Sequence, residues 1–390
     1  MPHAPVAAGR CGSPISPTRP YTSRVTANSN PSRYEPFFRP FEGAGLRLRN
    51  RIAMAPMTRR KAPDDRVPEE SIAAYYERRA RHGVGLIITE GTHIDDEHAP
   101  DSENVPGIFT DAQQEGWIRV VEAVHRADSA IVMQLWHTGR HAMDPIAPSA
   151  LPAPKHDGGF KPTPRAMSEH DMLAVRDHFA EGAARAKAAG FDGVEIHGAH
   201  GYILDSFLSE TSNQRTDSYG GSFENRMRYP LQVVRAVRDA VGAGYPVLYR
   251  FSQWKSEDYQ AVTFPDPDTL GVWVNALQET GVDMLHVSTR DAVEPAFDGP
   301  SPTLAGLSRS LSGLPTIAVG RVSVSTSMNQ GERVHVTDPA PAADLIRNGE
   351  VDLIAVGRSL ISNPDWCEKV RAGRWRELIP YERAHLAELQ

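Results

Sequence analysis

Leu353-Ile354-Ala355-Val356-Gly357-Arg358 nearly repeats Thr316-Ile317-Ala318-Val319-Gly320-Arg321. Each copy is a short apolar run, the pattern of a strand buried on both faces, and each ends in glycine and arginine. Working outward, similar runs occur at 52–57, 86–90, 131–135, 193–196, 247–251 and 284–287. Helix-like patterns separate them at 68–81, 111–127, 169–189, 223–241, 268–280 and 341–347, and another follows at 363–372. Eight strands alternating with helices predict an α/β fold, a single (β/α)8 TIM barrel over residues 34–390. The sixth crossover is the weakest part of this reading, because 304–311 is short and contains Gly and Ser.

Residues 1–33 carry Arg10, Arg19, Arg24 and Arg33, no acid, and many Pro, Ser and Thr. A transit peptide shares part of that bias, but the prolines forbid a continuous amphipathic helix, so a disordered N-terminal extension is expected. It has no apolar core of the kind a secretion signal needs. The 390-residue chain has a net charge of −7 with interspersed signs, so no basic stripe exists for nucleic acid. No run approaches the roughly 20 apolar residues of a membrane span, and a soluble protein is expected. Cys11 and Cys367 are the only cysteines, which excludes a disulfide framework and a four-cysteine iron–sulfur site and suits a cytoplasmic location. Neither GxGxxG after an early strand nor GxxxxGK[ST] occurs, so a dinucleotide domain and a P-loop have no support.

In a barrel of this kind the carboxyl ends of the strands face the active site. Those ends carry Thr58, Glu90-Gly91, then Gln134, Trp136 and His137, then His197, Arg250, and the two Gly-Arg pairs. The loops after strands seven and eight often hold phosphate, and Gly320, Arg321, Gly357 and Arg358 offer close backbone approach and charge there. Two ordinary strand-to-loop glycines are the bland alternative. His197, His200 and Tyr202 follow the fourth strand in His197-Gly198-Ala199-His200-Gly201-Tyr202. Zinc would need a third protein ligand and the spacing is not HExxH, so no metal is expected. A phenol, protonated at neutral pH, can donate a proton, and imidazole N–H groups beside it can hold a carbonyl oxygen as charge builds there. Arg250 requires an anionic partner if buried; reduced flavin is one candidate and Glu195 another.

The motifs Asn50-Arg51-Ile52-Ala53-Met54-Ala55-Pro56-Met57-Thr58-Arg59, Gln134-Leu135-Trp136-His137-Thr138-Gly139-Arg140, the stretch from Glu195 to Tyr202, and Ser212-Asn213-Gln214-Arg215 through to Arg226 stand in order along the chain. With them the chain, from about Tyr34 onward, resembles the Old Yellow Enzyme family of FMN-dependent ene-reductases, and within it the enzymes grouped with N-ethylmaleimide reductase and 12-oxophytodienoate reductase. The resemblance implies bound FMN, with NADPH or NADH as electron donor. It puts Ala55, Pro56, Met57 and Thr58 along the flavin, Gly91 and Gln134 at its pyrimidine ring, Arg250 at N1 and O2, and Gly320, Arg321, Gly357 and Arg358 at the phosphate. Relatives often have Asn or a small residue in place of Arg321. His197 and His200 would bind the substrate's oxygen, Tyr202 would protonate the α-carbon while N5 delivers hydride to the β-carbon, and Trp136 would line the substrate side. The implied partners are small-molecule activated alkenes; self-association into a homo-oligomer is left open. A flavin-dependent desaturase or natural-product tailoring oxidoreductase, a flavin-free phosphate-binding aldolase or isomerase, and a flavin sensor without turnover are the competing readings.

Overall fold

The structure is a computed structural model that describes residues 31–155, 157–299, 301–326 and 333–389. Residues 1–30 of the expected extension lie outside the described residues. Its last residues instead join a 3-10 helix, Pro31–Phe38, whose Tyr34 and Phe37 are fully buried. The Tyr34 hydroxyl donates to Asp338 (3.0 Å), anchoring this segment to the start of a late helix.

Eight parallel strands form the barrel: β1 (Ile52–Met54), β2 (Leu86–Ile88), β3 (Ala130–Trp136), β4 (Gly193–His197), β5 (Val247–Ser252), β6 (Met284–Ser288), β7 (Thr316–Val319) and β8 (Leu353–Val356). Each pairs with the next, and β8 pairs with β1 through Ala355 beside Ala53, so the sheet has no free edge. Because side chains alternate along a strand, every second residue faces inward. The inward set begins with Ala53, Leu86, Val132, Leu248, Met284, Ile317 and Leu353, packed on Phe41, Leu46 and Leu48 of a short hairpin. Further along, the same inward phase reaches Gln134, Glu195, His197, Arg250 and His286, which are polar. An apolar floor thus supports a polar upper layer, and a second apolar shell fills the space between barrel and helices.

Local signals set the helix ends. Thr110 and Ser168 each close a capping box, Asp266 caps a helix opening at Pro267, and Gly281 ends that helix at φ +110°. The doubtful sixth crossover is a helix after all, Leu304–Ser312. Thr303 accepts from the Gly306 amide (3.0 Å), and the hydroxyls of Ser308 and Ser312 bond back to Leu304 and Ser308 carbonyls, so the serines are satisfied inside the helix. Among the described residues no helix is long and apolar enough to cross a membrane.

Candidate active site

The carboxyl ends of the strands surround a cavity of about 600 Å³. Ala55, Pro56, Met57, Thr58, Gln134, Trp136, His197, His200, Tyr202, Arg250, Gly320, Arg321, Gly357 and Arg358 all line it. Gly91 does not. A Cβ there would sit 2.4 Å from the Trp136 ring, so this glycine makes room for the indole rather than facing the cavity. The wall also includes residues that the motifs did not flag: Arg60 and Asp101, Trp254 and Tyr259 after β5, Thr289 and Arg290 after β6, and Tyr381 and Leu386 from the C-terminal segment. That segment is tied down by Arg59, which donates to the carbonyls of His385 (3.3 Å) and Glu388 (2.9 Å).

His197, His200 and Tyr202 converge. The His197 ring lies 5.1 Å from His200 and 5.0 Å from Tyr202, both nearly perpendicular, and Trp136 stands edge-on to Tyr202 at 5.0 Å. His200 has φ +65°, uncommon for a residue with a side chain, and it is clamped: its N–H donates to Ser252 Oγ (3.0 Å) and its carbonyl accepts from Ser256 (3.0 Å). The next turn is fixed by Asp205, which accepts from the Gly201 amide (2.7 Å) and from buried Lys255 (2.6 Å). Thus the loop after β5 holds the loop after β4.

Hydrogen bonding assigns the imidazole protons. His197 Nδ1 accepts from the Ala199 amide (3.3 Å), so its proton is on Nε2. Arg250 donates to Ser288 Oγ (3.3 Å), which lies 2.9 Å from His200 Nε2; in the tautomer where the Ser288 hydroxyl donates to Nε2, His200 carries its proton on Nδ1. Burial, and then the charge of Arg250, hold both imidazoles well below their ordinary pKa, so both are neutral donors. Burial, and then the charge of Asp101, push the Tyr202 phenol above its usual value of 10. No described residue hydrogen-bonds its hydroxyl.

Arg250 is buried and its Nε has no partner. Glu195, the alternative partner weighed for it, is engaged elsewhere: it accepts from Gln134 Nε2 (2.7 Å) and His286 Nδ1 (2.6 Å). His286 is a site-layer residue the motifs missed, although an ionisable residue in phase with an inward-facing strand was the available signal. The nearby Glu195 charge offsets the burial of Arg250 only in part, and an anionic ligand would complete it, as the N1 and O2 edge of a reduced flavin would. Of the two expected phosphate arginines, Arg321 pairs with Asp291 (3.2 Å), which occupies its charge, whereas among the described residues Arg358 meets the Thr326 carbonyl and the Tyr381 ring. At Gly320 a Cβ would come within 2.6 Å of the Ala292 amide, so only glycine fits that wall. The donor set and the shape therefore fit FMN, and of the two arginines Arg358 is the one with no carboxylate on its guanidinium among the described residues.

Comparison with known proteins agrees. The model of the NADH:flavin oxidoreductase / NADH oxidase family matches residues 36–377. A chanoclavine-I aldehyde reductase of Penicillium roqueforti (strain FM164) is 36% identical over 363 residues, covering 89% of this chain and 91% of that protein. An NADH oxidase of Thermoanaerobacter brockii is 35% identical over 344 residues, 85% of this chain, and the chain spans only 50% of that relative's length. Among solved structures, morphinone reductase in complex with tetrahydroNAD superposes with a TM-score of 0.74 at 33% identity, covering 90% of this chain and 93% of that one. The barrel, the cavity and these likenesses together make the chain a member of the NADH:flavin oxidoreductase / NADH oxidase family, that of Old Yellow Enzyme, and so an NAD(P)H-dependent flavin oxidoreductase that works with FMN.

Proposed function

We propose that the protein is an ene-reductase for small α,β-unsaturated carbonyl compounds. The observation that carries this reading is the convergence of two neutral imidazoles and one protonated phenol on a single cavity wall. FMN, when bound, would supply the hydride-transfer chemistry between NAD(P)H and the substrate's β-carbon. The chain's own groups do the rest. His197 Nε2–H and His200 Nδ1–H hold the carbonyl oxygen and stabilise the negative charge that develops on it, a contribution of about 3 kcal/mol per donor in the transition state. Tyr202 gives its proton to the α-carbon. Its raised pKa keeps that proton in place until a carbanion-like carbon takes it. The domain reading that goes with this is one catalytic barrel over residues 34–390, preceded by the N-terminal extension.

The test is an anaerobic titration of the purified yellow protein with NADPH, then with 2-cyclohexenone. Bleaching by NADPH and recovery of the oxidised spectrum by one equivalent of enone are expected. A flavin that NADPH reduces but only oxygen reoxidises would defeat the reading, as would a protein that takes up no FMN.

A further inference from the structure

Beneath the cavity lies a buried chain of three side chains, Gln134, Glu195 and His286, that no catalytic step uses. All three are at most 2% exposed. Gln134 and Glu195 are paired in register on the adjacent strands β3 and β4, and His286 reaches Glu195 from β6, across β5. Burial alone would push the Glu195 carboxyl up, but His286, Arg250 and Gln134 outweigh it and hold it below its usual range, so it is ionised. An ionised carboxylate can only accept. The Gln134 NH2 must therefore face Glu195, and it does, at 2.7 Å. The remaining polar end of Gln134 is its carbonyl oxygen, to which no described residue donates, on a side chain that lines the cavity.

We propose that Glu195, braced by His286, is a positioning residue that fixes the Gln134 amide with its acceptor oxygen toward the cavity, so that the site selects the flavin ring through its N3–H donor. The inference rests on the cofactor reading above. A glutamine without this brace could turn over and present either a donor or an acceptor. With the brace, the wall offers an acceptor from Gln134 and donors from Arg250. That pattern is complementary to the pyrimidine ring of a flavin, which carries one N–H at N3 and acceptors at N1 and O2.

The experiment compares binding of FMN and of N3-methyl-FMN to the deflavinated full-length protein, read by flavin fluorescence quenching. In the wild type, N3-methyl-FMN, which has lost the donor, should bind at least about tenfold more weakly than FMN, the worth of one hydrogen bond. Glu195→Gln frees the amide to turn, so that ratio should fall toward one, with FMN weakened and the methylated analogue little changed. Gln134→Leu, which removes the amide, should also abolish the discrimination and serves if Glu195→Gln does not fold. A general loosening of the fold would weaken both ligands together and leave the ratio intact; that result, or a wild type that binds both equally, overturns the positioning role. A wild type that binds neither flavin refutes the cofactor reading instead.

Discussion

At the scale of single residues, Tyr202 offers the sharpest separation of roles. It touches His197, Trp136 and His141 through its ring, but no described residue shares its hydroxyl, so the phenol can be removed without breaking a network. Tyr202→Phe should therefore keep FMN and its reduction by NAD(P)H, while reoxidation by a simple enone slows by about 10²–10⁴-fold, the usual range for a lost general acid. Stopped-flow half-reactions measure the two steps separately, and unchanged reoxidation would remove Tyr202 from the mechanism. The sign of the pH effect follows from the raised pKa. A phenol with its ordinary value would be half ionised at pH 10, whereas Tyr202 stays protonated there, so wild-type reoxidation should not decline on its account between pH 7 and 10.

At the scale of elements, the reactive loop after β4 owes its shape to the loop after β5. Lys255 and Asp205 form a buried pair at 2.6 Å, and Asp205 also receives the Gly201 amide beside Tyr202. Lys255→Met should destabilise the protein by about 3–5 kcal/mol, because it leaves a buried carboxylate unpaired. Adding Asp205→Leu should return much of that stability but not the enone activity, since the Gly201 amide stays without its acceptor. Urea unfolding of the two variants, with turnover of the survivors, checks both halves. None of this was legible in the sequence. The eight strands were, because strands buried on both faces read as short, mainly apolar runs, and the conspicuous His-Gly-Ala-His-Gly-Tyr loop was too. What escaped depends on pairing between distant segments: Lys255 with Asp205, Trp254 stacked on His200 at 4.1 Å, the C-terminal Tyr381 over the cavity, and Gly91 yielding space to Trp136. The helix Leu304–Ser312 escaped for another reason, since serine lowers helix propensity unless its hydroxyl finds a backbone acceptor, and here two do.

At the scale of the whole molecule, the barrel is an apolar cylinder that ends in a polar layer carrying a buried cation, and cofactor binding must couple to its stability. Arg250 lies in that layer with Nε unpartnered and no carboxylate within ion-pair distance among the described residues. In the absence of flavin, Arg250→Met should leave the melting temperature unchanged or raise it, because the substitution removes a poorly compensated buried charge and keeps most of the volume. With flavin the order reverses. A ligand at one hundred times its Kd stabilises the folded state by about 2.7 kcal/mol, and a tenfold loss of affinity removes about 1.4 kcal/mol of it. The FMN-dependent rise in melting temperature should thus be clearly smaller in Arg250→Met than in the wild type at the same FMN concentration. Thermal unfolding of both proteins, with and without FMN, gives the four values required. An equal rise in the two proteins would mean that Arg250 does not meet the flavin, and its burial would then need another anionic partner.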